Sequence, residues 1–122
     1  MERLRKRADF VAAASGIKIP AATFVLQARD RRDHGPIRIG FTVSKKVGNA
    51  VERNRVRRRL REVVRLKSGD ALRVGHDYVL VGRRAALSAE FAQLAEEYDR
   101  AIARLGSPNP GAPKSRPKYK SP

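Results

Sequence analysis

One stretch, Ile37 to Leu66, leaves this chain few ways to fold. From Ile37 to Val43 (IRIGFTV) the residues alternate, with Ile37, Ile39, Phe41 and Val43 to one side and Arg38, Gly40 and Thr42 to the other. Successive strand side chains point to opposite faces, so the pattern predicts a strand with one buried face. A helix pattern follows. Asn49 is suited to cap it, with Glu52 three residues on to complete a capping box. The helix is expected to run to about Lys67 and to end at Ser68-Gly69. Wound at about 100° per residue, it places Val56, Leu60, Val63 and Val64 in one sector. Asn54, Arg58, Arg61 and Arg65 fall opposite, flanked by Arg55 and Arg57. The helix must therefore dock by its valine/leucine stripe and turn a row of guanidinium groups to solvent.

That row is hard to tolerate without a partner. Between Lys45 and Lys67 there are ten Lys or Arg and two acids, Glu52 and Glu62, a net of +8. A solvated face laced with ion pairs fails as an explanation, because two carboxylates cannot neutralise ten cations, and each exposed pair contributes only a few tenths of a kcal/mol. Membrane surfaces and calmodulin-like grooves favour bulky apolar faces, whereas this one is valine-rich and committed to a core. The whole chain agrees: 28 Lys+Arg against 12 Asp+Glu give +16 over 122 residues, beyond the roughly 2 to 8 that solubility favours. Arginine's planar fork suits phosphate oxygens. Nucleic acid is the indicated partner, DNA or RNA.

The rest of the chain reads as one domain. Residues 1–7 are basic and expected to be flexible. Ala8 to Ser15 reads as a short helix closed by Gly16 as a left-handed cap. Ala22 to Ala28 reads as a strand, Arg29 to Pro36 as a polar turn, and Asp77 to Gly82 as a further strand. Ser88 is placed to cap a last helix bearing Phe91, Leu94, Ala95, Tyr98, Ile102 and Leu105 as a stripe. Residues 106–122, rich in Pro, Gly and Ser with four basic residues and no acid, are expected to be a disordered basic tail. The domain thus spans 8–105 in the order α-β-β-α-β-α, an α+β arrangement of helices on a small sheet. No apolar run is long enough to span a bilayer, no signal-peptide apolar region opens the chain, and there is no cysteine, which together suit the cytoplasm. His34 and His76 lie apart with no accompanying ligands, so no metal site is expected.

The motif itself is specific. Ser44-Lys45-Lys46-Val47-Gly48-Asn49-Ala50-Val51, then Arg53-Asn54-Arg55 and Arg57-Arg58-x-x-Arg61, resembles the signature of the bacterial ribonuclease P protein subunit, a family marked by its Arg-Asn-Arg motif. The resemblance spans about Asp9 to Leu105 and is strongest over 38–66. It implies a ribosomal-protein-like α+β domain in which the basic helix makes a left-handed βαβ crossover, against the usual right-handed rule. It also implies an accessory role. A catalytic RNA cuts the 5′ leader from precursor tRNA with Mg²⁺ held mainly by RNA, while the protein, one monomer per RNA, is not itself catalytic.

By position, the resemblance assigns Lys45, Lys46, Asn49, Arg53, Asn54, Arg55, Arg57, Arg58, Arg61 and Arg65 to the catalytic RNA. It assigns Phe10, Val25, Gln27, Arg38, Thr42 and Arg53 to a cleft that cradles the leader. Phe10 could equally be a packed core aromatic, and Arg53, on the apolar side of its helix, a snorkelling side chain. Some relatives carry a second aromatic where Ala13 and Ala14 stand here, or Tyr in place of Gln27. Stacking of leader bases, about 1–3 kcal/mol per base, should be correspondingly weaker. The rival readings are a ribosomal RNA-binding protein on the same scaffold, a double-helical DNA binder, which would want a helix-turn-helix or zinc module, and a self-sufficient metal nuclease. The last would want clustered carboxylates, but Asp9, Asp30, Asp33, Asp70 and Asp77 are scattered.

Overall fold

The computed structural model describes residues 1–67 and 71–107. Five strands, β1 (Glu2–Arg3), β2 (Ile17–Pro20), β3 (Phe24–Asp30), β4 (Arg38–Val43) and β5 (His76–Gly82), form one sheet in the order β1-β4-β5-β3-β2. β1 and β5 run parallel to β4, whereas β3 is antiparallel to both β5 and β2. The helices are α1 (Arg7–Ala14), α2 (Ala50–Lys67) and α3 (Phe91–Leu105). This is the α+β domain expected, with α2 connecting the parallel neighbours β4 and β5.

The two faces of the sheet are covered unequally. One face packs Phe24, Leu26, Ile39, Val43, Tyr78 and Leu80 against Val56, Leu60, Val63 and Val64 of α2 and Leu94, Tyr98 and Ala101 of α3. Val56, Leu60 and Val63 are fully buried, each contributing about 1.5–3 kcal/mol relative to exposure. The stripe read from the 3.6-residue period is therefore the stripe that docks. Among the described residues the other face carries only α1, with Leu4, Ala13 and Val79 buried and Phe10 and Val81 packed beside them.

Several boundaries differ from the sequence reading. Glu2 and Arg3, expected in a flexible lead-in, pair with Arg38 and Ile39, and Leu4 is buried. An apolar residue at the fourth position outweighs the charge around it. Strand β2 is an addition to the expected elements; it is a four-residue edge strand ending in Pro20, with only Ile19 buried, too short and mixed to show a period. β3 begins and ends two residues later than expected. Gly16 is not a left-handed cap: Ser15 closes α1 in a right-handed conformation. Glycine is required at 16 for space, since a Cβ there would lie 2.2 Å from the Ala28 carbonyl oxygen. Ser88 ends a short 3₁₀ turn (Arg84–Leu87) instead of capping α3, which starts after Glu90. The Ser68-Gly69 helix stop and residues 108–122 of the expected tail lie outside the described residues.

Candidate nucleic-acid interface

The start of α2 is built as its sequence predicts. The Asn49 side-chain oxygen accepts from the Glu52 backbone N–H at 2.9 Å, and a Glu52 carboxylate oxygen accepts from the Asn49 N–H at 3.0 Å. This closes a capping box. Just before it, Lys45 and Lys46 sit exposed on a 3₁₀ turn whose Ser44 hydroxyl accepts from the Lys46 N–H. Asn49 thus has a structural task as well as its place beside the basic row.

Because α2 is pinned by its buried stripe, the outward positions of its polar side chains are fixed by geometry. They divide into two groups, of which the first faces outward. Asn54, the uncharged member of the Arg53-Asn54-Arg55 motif, accepts from Arg57 at 2.5 Å through its side-chain oxygen, holding that guanidinium along the helix surface. Arg58 is exposed and makes no ion pair among the described residues. Arg61 stands 5.5 Å above the Phe41 ring, a cation–π contact. Burial, followed by the charges of Arg3, Arg57 and Arg58, lowers its pKa. Arg65 pairs with Glu62 at 2.6 Å, so it is partly neutralised. Arg55 reaches the Leu87 carbonyl at 3.4 Å.

The second group is structural. Arg53 is half-buried and donates to the Gly48 carbonyl at 2.8 Å, tying the helix to the preceding turn. Arg59, not distinguished from its neighbours in the sequence, donates to the carbonyls of Ala86 (2.6 Å), Leu87 (3.2 Å) and Ala89 (2.6 Å). Burial and then the Arg55 charge lower its pKa. Its place between the apolar stripe and the exposed row was the available signal. Arg84 donates to the Val47 carbonyl and approaches Glu52, bracing the same corner from the other side.

On the opposite face of the sheet, strand register brings the expected cleft residues together. Val25, Val81 and Thr42 lie side by side across β3, β5 and β4; Gln27, Val79 and Gly40 form the next row; Arg29, Asp77 and Arg38 form the third. The Phe10 ring of α1 lies directly over Gly40, where a Cβ would come within 2.6 Å of it. Phe10 is half-buried: it packs beside the small cluster under α1 without being enclosed. Gln27 and Val25 are half-buried and Thr42 is exposed.

Arg38, which the resemblance assigns to the cleft, is also engaged within the protein. Its guanidinium makes two hydrogen bonds to Asp77, at 2.8 and 2.9 Å, and approaches Asp9 of α1 at 3.4 Å. Asp77 is fully buried and also receives Arg31 at 2.6 Å. Burial alone would raise the pKa of Asp77, but the bonds from Arg38 and Arg31 hold it below the ordinary value. Arg31, missed because it sits in what reads as a polar turn, further binds Asp33 and the Pro36 carbonyl. Among the described residues no three His, Cys, Asp or Glu side chains are grouped to hold a metal ion. No described helix is long and apolar enough to cross a membrane.

An outward arginine row beside an open sheet face, with no assembled nucleophile or carboxylate cluster among the described residues, defines a small basic α+β nucleic-acid-binding domain. The comparisons with known proteins narrow that class. The sequence model of the Ribonuclease P family matches residues 1–106. The ribonuclease P protein component of Gluconacetobacter diazotrophicus is 50% identical over 105 residues, covering 85% of this chain and 90% of that protein. That of Ruegeria pomeroyi is 50% identical over 111 residues, covering 88% of each. Among solved structures, the Thermotoga maritima protein superimposes with a TM-score of 0.72 at 28% identity, covering 88% of this chain and all of that one. The Staphylococcus aureus protein gives 0.72 at 25% identity, covering 87% and 96%. The chain belongs to the ribonuclease P protein family, the protein subunit of the ribonucleoprotein endoribonuclease that matures tRNA 5′ ends.

Proposed function

We propose that this subunit bridges two RNAs through two faces: the α2 row grips the catalytic RNA, and the α1–sheet cleft receives the precursor tRNA leader. The observation that carries the reading is the exposed series Lys45, Lys46, Arg58 and Arg61, which the described acids leave without ion pairs. Phosphates that neutralise these cations release counterions, so binding is strongly salt-dependent. Asn54, Arg55, Arg57 and Arg65 extend the row once RNA phosphates compete for their internal partners. In the cleft, Phe10, Val25, Gln27 and Thr42 offer one ring, apolar surface and hydrogen bonds to a single strand. Arg38 and Arg53 contribute by shaping the cleft and the helix start.

The carboxylates of the described residues are not arranged to hold Mg²⁺. Among the described residues the one fully buried carboxylate, Asp77, is filled by arginines, and the others are not clustered. In this reading Mg²⁺ is held mainly by the RNA, and the protein's part is to bind, orient and neutralise. One monomer per catalytic RNA, acting in the cytoplasm, fits a surface with two distinct RNA faces.

The test is 5′-leader cleavage of a precursor tRNA by a bacterial ribonuclease P RNA at low Mg²⁺ and moderate salt, with and without the protein. Accurate cleavage restored by the protein, with none by protein alone, is the expected result. Absence of rescue with several ribonuclease P RNAs, together with co-sedimentation with ribosomes, would overturn it in favour of a ribosomal role.

A further inference from the structure

Between the two RNA faces lies an edge of the sheet, bordered by Arg61 of one face and Phe10 of the other. β1 pairs only with Arg38 and Ile39, so beyond Leu4 no described strand lies beside the outer edge of β4. A cavity of about 120 Å³ opens there, lined by Arg3, Leu4, Phe10, Phe41 and Arg61. It adjoins a second of about 230 Å³ that adds Glu2, Ile39, Val64 and Arg65. The lining wraps around the sheet. Phe41 and Arg61 belong to the α2 side, and Phe10 and Leu4 to the α1 side.

We propose that Arg3 and Arg61, with the rings of Phe41 and Phe10, form a binding site for one nucleotide of a single-stranded RNA, the phosphate between the guanidinium groups and the base or ribose against the rings. The inference rests on the proposed RNA-bridging function and adds to it a corner that joins the two faces.

Three observations support it. Arg3 and Arg61 line the same cavity, and burial, followed by the charges of Arg3, Arg57 and Arg58, makes the Arg61 guanidinium costlier to keep charged. Neither forms an ion pair among the described residues; Glu2, which lines the outer cavity, pairs with neither. Two guanidinium groups without an acidic partner among the described residues thus line one cavity, and a phosphate supplies the missing anion. The adjoining larger cavity, lined by Phe41 and Ile39 beside the same two arginines, offers the apolar and aromatic surface, and this pairing of a ring with cations is how single strands are held without sequence preference. Finally, Arg3 is carried on a strand only two residues long, anchored by the buried Leu4, which places a terminal cation at this edge at little cost to the core.

The experiment uses reconstituted holoenzyme with Arg3→Ala and Arg3→Lys, and Arg58→Ala as a reference for the proposed function. Three affinities are measured against salt: protein for catalytic RNA, holoenzyme for precursor tRNA, and holoenzyme for mature tRNA lacking a leader. Arg3→Ala is expected to weaken binding by about 3- to 10-fold and to reduce the slope of log affinity against log salt by about 0.7–0.9, one phosphate contact; Arg3→Lys should retain most of both. A loss confined to precursor tRNA assigns the nucleotide to the leader, and a loss against catalytic RNA assigns it there. Unchanged affinity and slope in all three arms, with Arg58→Ala still impaired, overturns this site while leaving the bridging function standing. If Arg58→Ala is also unimpaired, both fall together.

Discussion

Arg38 and Asp77 face each other across the parallel strands β4 and β5, and two parallel hydrogen bonds of 2.8 and 2.9 Å join the guanidinium to a carboxylate with no solvent exposure. Arg31 closes the other side of Asp77, and Arg38 extends to Asp9 on α1. The pair thus ties together the sheet, the 31–36 turn and the helix that carries Phe10.

Asp77→Asn leaves this cluster of arginines without its central charge. Removing one partner of a buried ion pair costs about 3–5 kcal/mol, and a shift of the urea midpoint measures it. The pH dependence follows from the depressed pKa of Asp77. A carboxylate with a lower pKa folded than unfolded stabilises the fold fully above its unfolded value, about 3.9. That contribution is lost as pH falls below it and through the folded value. Wild-type stability should therefore decline below about pH 4, and Asp77→Asn should flatten that decline.

Gly40 matters because of what lies above it. Any side chain there meets Phe10 at 2.6 Å, so Gly40→Ala must push α1 away from the sheet or rotate the ring. Overpacking of this kind costs about 1–3 kcal/mol. The expected functional result is weaker binding of leader-bearing precursor tRNA with unchanged binding of mature tRNA. Equal effects on both substrates would show that the ring does not border the leader path.

Asn49→Ala removes half of the capping box at the start of α2. A lost cap of this type costs about 0.5–2 kcal/mol. Thermal denaturation should show the loss, while affinity for catalytic RNA, measured well below the midpoint, falls only modestly. A large affinity loss without a stability loss would instead place the Asn49 side chain on the RNA.

How legible the molecule is depends on whether a residue's partner is near in sequence. The Asn49–Glu52 box, the Val56–Leu60–Val63–Val64 stripe and the alternation of β4 are local patterns, and each is readable. The Arg38–Asp77 pair is not legible in the sequence because the two residues lie 39 positions apart. Nothing local distinguishes Glu97, yet it accepts both the backbone N–H and the hydroxyl of Thr23, 74 residues distant, docking α3 onto the entry to β3. β2 is invisible in the sequence because its pairing with β3 depends on Gly16 letting the backbone pass close to Ala28. Function is legible before fold detail, because unpaired charge can be counted without knowing the contacts.

Arg58 and Arg59 provide the sharpest separation of binding from folding. They are adjacent, identical in type and equally basic in the sequence, but α2 turns them to different environments. Arg58 is exposed and makes no ion pair among the described residues; Arg59 holds three carbonyls at the 3₁₀ turn before α3. Arg58→Ala should leave the melting temperature within error of wild type, lower affinity for catalytic RNA several-fold at moderate salt, and reduce the salt slope by about 0.7–0.9. Arg59→Ala should destabilise the domain by about 1–3 kcal/mol, since the part-buried carbonyls of Ala86, Leu87 and Ala89 lose their charged donor, and leave the salt slope of the folded protein nearly unchanged. Paired denaturation and RNA-binding titrations on the two variants check both expectations. The opposite assignment, stability lost at 58 and salt slope lost at 59, would require α2 to be rotated by about 100° on the sheet, which the buried stripe of Val56, Leu60 and Val63 forbids.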